Sequence, residues 1–124
     1  MAKKKILIVD DEEAITDMLK MNLEMSGEFE VRTENKGANA LNVAREFRPN
    51  LILLDVMMPD KDGGELANDI KRDAVIGNTP IVFLTAALTK EEAALQNNKI
   101  GGYPFMAKPV SLEDLIDCIN KNAK

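Results

Sequence analysis

The sequence predicts a doubly wound α/β domain, a five-stranded parallel sheet with helices on both faces. Three observations predict it. Short β-branched or leucine-rich runs alternate with helix-period segments five times along the chain. The most apolar run, Leu51-Ile52-Leu53-Leu54, lies near the middle, as a central parallel strand buried on both faces requires. The chain has 124 residues, 45% hydrophobic and 30% charged, which suits one core, so residues 1–124 are read as a single domain. Right-handed crossovers between parallel strands then place the helices on both sides.

Each element has its own signal. The run over 5–9 sets Ile6, Leu7, Ile8 and Val9 after a basic start and reads as a buried first strand. A helix follows with Ile15, Met18, Leu19 and Leu23 spaced to share one face, and Gly27 ends it. Over 29–33, Phe29, Val31 and Thr33 alternate against Glu30 and Arg32 in a second strand. The second helix, 37–47, carries Ala40, Leu41, Ala44 and Phe47 on one side, and Pro49 stops it. Leu51 to Leu54 form the third strand. The segment Met58-Pro59-Asp60-Lys61-Asp62-Gly63 is loop chemistry, and a third helix with Leu66 and Ile70 runs to about Asp73. Pro80 introduces a fourth strand over 81–84. The stretch 90–99 reads as a fourth helix, with the weakest amphipathic pattern of the set. Residues 103–107 form a fifth strand. Ser111 caps a fifth helix with Leu112, Leu115, Ile116 and Ile119 facing inward.

Composition excludes several function classes. Sixteen basic residues against 21 acidic ones give a net charge of −5 with no long Lys/Arg run, so direct nucleic-acid binding is not expected. No apolar run approaches the roughly 20 residues that span a bilayer, so no membrane partner is expected. Lys3-Lys4-Lys5 precedes a short apolar run, but Asp10-Asp11-Glu12-Glu13 stands where a signal peptide needs small residues. The single cysteine, Cys118, fits a reducing compartment, and the chain is read as cytoplasmic. The absence of histidine removes His-based acid–base catalysis and most zinc sites.

Ligands of doubly wound sheets bind beyond the carboxyl ends of the strands. Those ends are polar here. Asp10 and Asp11 end the first strand, Asp55 the third and Thr85 the fourth, and Lys108 follows the fifth. A single Asp after a strand is ordinarily a turn residue or a helix cap, and a lone Lys a solvated surface group. Together at one edge they mean more. Carboxylates about 5 Å apart repel by roughly 3–4 kcal/mol per pair at an effective dielectric near 20, unless a cation fills the space between them. Oxygen ligands without His or Cys suit Mg²⁺ or Mn²⁺, which keep positions for water and phosphate. Lys108 adds a positive point charge and Thr85 a hydroxyl donor. The pocket is built for a metal-bound phosphoryl group.

The set Ile6-Leu7-Ile8-Val9-Asp10-Asp11, Asp55 with Met58-Pro59-Asp60-Lys61-Asp62-Gly63, Thr85-Ala86 and Lys108-Pro109 resembles the receiver domain of bacterial two-component response regulators, over the whole chain. In length the chain is similar to the stand-alone, chemotaxis-type form, and a receiver excised from a longer regulator fits as well. The resemblance implies a flavodoxin-like sheet of order 2-1-3-4-5. It implies that Asp55 accepts a phosphoryl group from the phosphohistidine of a sensor histidine kinase or phosphotransfer protein. It implies Mg²⁺ held by Asp11, Asp55 and the backbone carbonyl of Met57, with Asp10 acting partly through water. Thr85 and Lys108 would hold phosphoryl oxygens, and a cis Lys108-Pro109 bond would aim the lysine. Thr85 and Phe105 would form the switch, changing the affinity of the face made by the fourth helix, fifth strand and fifth helix for a downstream protein. The implied state is a monomer or a weak phosphorylation-dependent dimer. The implied role is a phosphoacceptor that catalyses its own phosphoryl transfer and slow dephosphorylation, not an enzyme.

Some positions depart from the common pattern. Pro104 removes a donor inside the fifth strand, which is tolerable if that strand lies at the sheet edge. Gly64 predicts a loosely started third helix. Met57 and Ala87, two residues past Asp55 and Thr85, cannot orient a water, which predicts slow loss of the phosphoryl group. Flavin binding is disfavoured because Asp10-Asp11-Glu12-Glu13 would repel its phosphate. A phosphatase of the aspartate-nucleophile type needs a second acid where Met57 stands. The remaining alternative is a receiver-like interaction scaffold not regulated by phosphorylation, which has no reason to keep the mutually repelling carboxylates.

Overall fold

A computed structural model of the protein describes residues 3–56, 58–85, 99–100, 103–107 and 111–123. The elements run β1 (Lys4–Val9), α1 (Glu13–Met25), β2 (Phe29–Glu34), α2 (Gly37–Phe47), β3 (Leu51–Asp55), α3 (Gly63–Arg72), β4 (Ile81–Thr85), β5 (Lys99–Ile100), β6 (Tyr103–Ala107) and α4 (Leu112–Asn122). They form one sheet of order β2-β1-β3-β4-β6-β5. The five strands expected from the sequence pair in parallel in the order 2-1-3-4-5, with β6 as the fifth.

The period-two alternation of the strands divides the core between the two faces of the sheet. Leu7, Val9, Ile52, Leu54, Ile81, Phe83 and Phe105 point to the side covered by Ala40, Ala44 and Phe47 of α2 and Leu66, Ala67 and Ile70 of α3. Ile6, Ile8, Leu51, Leu53, Val82 and Leu84 point to the side covered by Leu19 and Leu23 of α1 and Leu115 and Ile119 of α4. β3 is buried throughout, as its unbroken apolar run demands.

The helix ends follow their local chemistry. α1 gives way to Gly27, which takes a left-handed φ of 79°. α2 ends at Arg48, left-handed at φ 51°, immediately before Pro49. Ser111 accepts from the Asp114 amide at 3.1 Å and so caps α4.

Five sequence expectations need correction. Met18 is 47% exposed and shares an outer flank of α1 with exposed Met21 and Met25. At about 100° per residue it stands well round the helix from Leu19 and Leu23, which with Thr16 define the buried face. Leu112 is 40% exposed although it lies on the inward side of α4. Side chains lean toward a helix's N-terminus, so that of the first residue overhangs the end. Lys99 belongs to the antiparallel strand β5 and not to a helix; residues 90–98 lie outside the described residues. β6 is therefore not a bare edge, because Tyr103 and Pro104 stand opposite Ile100 and Lys99. Finally, α3 does not start loosely. Asp62 accepts from the amides of Gly64 at 2.7 Å and Glu65 at 3.3 Å, which compensates for the two glycines of the first turn.

Candidate functional site

The carboxyl edge of the sheet gathers the polar strand ends. Asp10 follows β1 and is fully buried, Asp55 ends β3 and is 5% exposed, and Asp11 is exposed. One carboxylate oxygen from each of Asp10, Asp11 and Asp55 lies within 4.8 Å of the other two. The convergence expected from the sequence is thus present. The donor set, oxygen from three carboxylates with no nitrogen or sulfur, fits a small hard divalent cation. Thr85 closes β4, buried, one residue beyond Leu84, which pairs with Asp55 across the sheet.

Local bonds fix this corner. Asp10 Oδ1 accepts from the Glu12 amide at 3.0 Å, turning the chain into α1. The Asp10 amide donates to the Glu34 carbonyl at 3.1 Å, and the Asp10 carbonyl accepts from Asn35 Nδ2 at 2.8 Å. The same Asn35 nitrogen donates to Oγ1 of buried Thr16 at 2.9 Å. On the β3 side, the Val56 amide donates to the Leu84 carbonyl at 3.2 Å, and the Gly63 amide donates to the Val56 carbonyl at 2.9 Å. Gly63 sits so close to the strand end that a Cβ there would collide with the Asp55 carbonyl and with Val56.

The loop between Val56 and Gly63 is tied outward as well. Asp60 accepts from the amides of Gly37 at 3.2 Å and Ala38 at 3.1 Å, and these bonds, that of Ala38 foremost, hold its carboxyl below the usual carboxylate range. Lys61 Nζ donates to Asp69 of α3 at 2.7 Å, which lowers the Asp69 carboxyl and raises the lysine.

These observations agree with a wider comparison. The chain matches the response regulator receiver domain over residues 6–120. This chain belongs to that family. It is 41% identical over 117 residues to the phosphate regulon transcriptional regulatory protein PhoB of Pseudomonas aeruginosa, covering 94% of this chain and 50% of that protein. It is 41% identical over 108 residues to the alkaline phosphatase synthesis transcriptional regulatory protein PhoP of Bacillus subtilis, covering 87% of this chain and 43% of that protein. The chain spans about half the length of the curated relatives it matches. Among solved structures, chemotaxis protein CheY4 of Vibrio cholerae superposes with a TM-score of 0.82 at 31% identity, covering 97% of this chain and 98% of that one.

In this receiver, Asp10, Asp11, Asp55 and Thr85 stand at the carboxyl edge where the sequence put them. Lys108, Met57, the Lys108-Pro109 bond and Ala87 lie outside the described residues. Phe105 is 7% exposed and sits in the core face beside Phe83, its partner in strand register. Tyr103, two residues earlier on the same face, is half-buried and meets the Phe83 ring edge-on, with centroids 5.5 Å apart at 86°. Asn35, Thr16 and Asp60 were not singled out from the sequence. Asn35 could have been, since it follows β2, the one strand end left without a polar assignment. Asp60 offered no signal beyond its place in a loop. No helix among the described residues is long and apolar enough to cross a membrane.

Proposed function

We propose that Asp55 is the phosphoacceptor of this receiver, taking a phosphoryl group from the phosphohistidine of a sensor histidine kinase or phosphotransfer protein. The observation that carries this reading is the convergence of Asp10, Asp11 and Asp55 within 4.8 Å. That grouping is costly unless a cation is shared among them. In the transfer, a carboxylate oxygen of Asp55 bonds to phosphorus as the phosphorus–nitrogen bond breaks, and the departing imidazole takes a proton from water. Asp10, Asp11, Asp55 and the carbonyl of Met57 would hold Mg²⁺ or Mn²⁺. When bound, that ion supplies charge neutralisation for the transferring group. Thr85 and Lys108 would hold phosphoryl oxygens by hydroxyl and ammonium donation.

The switch would run from Thr85 to Phe105, which lie on adjoining strands. The response would appear on the face formed by segment 90–99, β6 and α4, where a downstream protein binds, with the chain a monomer or a weak phosphorylation-dependent dimer. A two-state packing element biased by a local charge event describes it. Residues 1–124 act as one receiver in the cytoplasm, without nucleic acid or membrane contact of their own. With Met57 and Ala87 two residues past Asp55 and Thr85 in sequence and unable to orient a water, the phosphoryl group is lost slowly, and Met57→Asn shortens its lifetime.

The test is intact-mass analysis after incubation with acetyl phosphate and Mg²⁺. One added phosphoryl group on the parent and none on Asp55→Ala is the expected result. No adduct on the parent, with Mg²⁺ present, favours the unphosphorylated scaffold.

A further inference from the structure

The turn between β2 and α2 touches both acid-bearing loops. On one side Asn35 holds the Asp10 carbonyl at 2.8 Å. Two residues on, the first amides of α2 donate to Asp60, Gly37 N to Oδ1 at 3.2 Å and Ala38 N to Oδ2 at 3.1 Å. α2 has no cap of its own, since the Lys36 side chain makes no capping bond and the first turn carries no acid. A carboxylate from 22 positions along the chain supplies both the acceptor oxygens and the negative charge that the helix start favours. The approach is close. A Cβ on Gly37 would come within 2.9 Å of Lys61 Cβ. The loop so held leaves the strand directly after Asp55 and returns to it where Gly63 donates to Val56.

We propose that Asp60 is a positioning residue for the carboxylate centre: by capping α2 it fixes the loop leaving Asp55, and with Asn35 it sets the Asp10 and Asp55 ends of the sheet on one common support. The proposal rests on the reading of Asp10, Asp11 and Asp55 as a divalent-cation site. Asp60 touches neither the cation nor the phosphoryl group. It acts by holding the chain that bears Asp55 at the spacing the cation needs, as outer-shell partners of metal ligands do. Without it, the exposed Ala38 amide turns to water and the amide of buried Gly37 loses its carboxylate acceptor. The fold then survives while the loop loses its tie to α2.

Mg²⁺ titration by calorimetry on the full chain separates positioning from stability. Asp60→Ala and Asp60→Asn are compared with Ser111→Ala, which removes the cap of α4 instead. Thermal melting is recorded for each. Asp60→Ala raises the Mg²⁺ dissociation constant about three- to tenfold, toward the lower range of outer-shell losses. Asp60→Asn, isosteric and still able to accept one of the two amides, falls between it and the parent. Ser111→Ala lowers the melting temperature with Mg²⁺ affinity unchanged. An unchanged dissociation constant in Asp60→Ala, or an equal rise in Ser111→Ala, overturns the proposal. An Asp60→Asn value worse than that of Asp60→Ala does so too. If the parent binds no Mg²⁺, proposal and cation reading fall together. If Asp60 governs Mg²⁺ affinity but acetyl phosphate leaves no adduct, the proposal stands and only the acceptor reading fails.

Discussion

Two corners of the sheet, one at its carboxyl edge and one in the core behind it, are built on different terms. At the ends of β1 and β3 the side chains are held by directional bonds: Asp10 to the Glu12 amide, Asn35 to Asp10 and Thr16, and Asp60 to the start of α2. Along β4 and β6, back from that edge, aromatic packing joins the strands. Phe105 lies against Phe83, Phe83 meets Tyr103 edge-on, and Lys71 Nζ sits 5.7 Å from the Tyr103 ring centre. Phosphoryl chemistry needs oxygens held at fixed spacing before the reaction begins. A response needs a region with more than one good packing, and packed aromatics have discrete alternatives. The two corners meet at Thr85, whose strand neighbours carry Asp55 on one side and Phe105 on the other.

The largest effect that separates the corners is on stability. Phe105→Ala removes a buried ring and costs about 3–5 kcal/mol in urea unfolding, yet leaves Mg²⁺ affinity as in the parent. A loss of Mg²⁺ binding in the folded variant would erase the distinction. Asp11→Ala is the converse. Its side chain is exposed, so the unfolding midpoint stays near that of the parent while Mg²⁺ affinity falls by more than about tenfold, since a direct ligand is lost where outer-shell partners alone cost that much.

The smallest effect lies outside both corners and serves as a control on them. Asp73 is held below the usual carboxylate range first by the Arg45 side chain, whose Nε donates to it at 2.6 Å, and then by the Val75 amide. A carboxylate lowered in the folded state stabilises the fold above its ordinary value and ceases to as pH falls through the lowered one. Stability therefore declines below about pH 4, where the unfolded chain takes up protons first. Asp73→Asn flattens that acid limb in urea midpoints measured against pH and leaves Mg²⁺ affinity at neutral pH untouched.

Much of this was legible in the sequence, for identifiable reasons. In a doubly wound sheet, the position after a strand specifies a place in space, so Asp10, Asp11, Asp55 and Thr85 could be brought together without coordinates. The unbroken apolar runs marked β1 and β3 as buried strands, and the alternation of Phe29 and Val31 against Glu30 and Arg32 marked the inward side of β2. Helix periodicity was weaker at the margins. It gives a direction but not how far the neighbouring layer reaches, so Met18 and Leu112 were assigned inward and are exposed. Lys99 was lost because a two-residue strand carries no period at all. Asp60 was invisible for a different reason. Its partners lie 22 and 23 positions away, and a carboxylate in Met58-Pro59-Asp60-Lys61-Asp62-Gly63 looks like any turn residue until the loop is folded.

The central claim is that an event at the polar corner is answered at the packed one. Amide NMR spectra of the uniformly labelled chain, recorded with Mg²⁺ before and after beryllium fluoride, test it most directly, because that additive imitates the phosphoryl group that the proposal sets on Asp55. The account predicts shifted resonances near Asp55 and also at Thr85 and Phe105, both sets absent in Asp55→Ala. Shifts confined to the neighbourhood of Asp55, or persisting in Asp55→Ala, would contradict it.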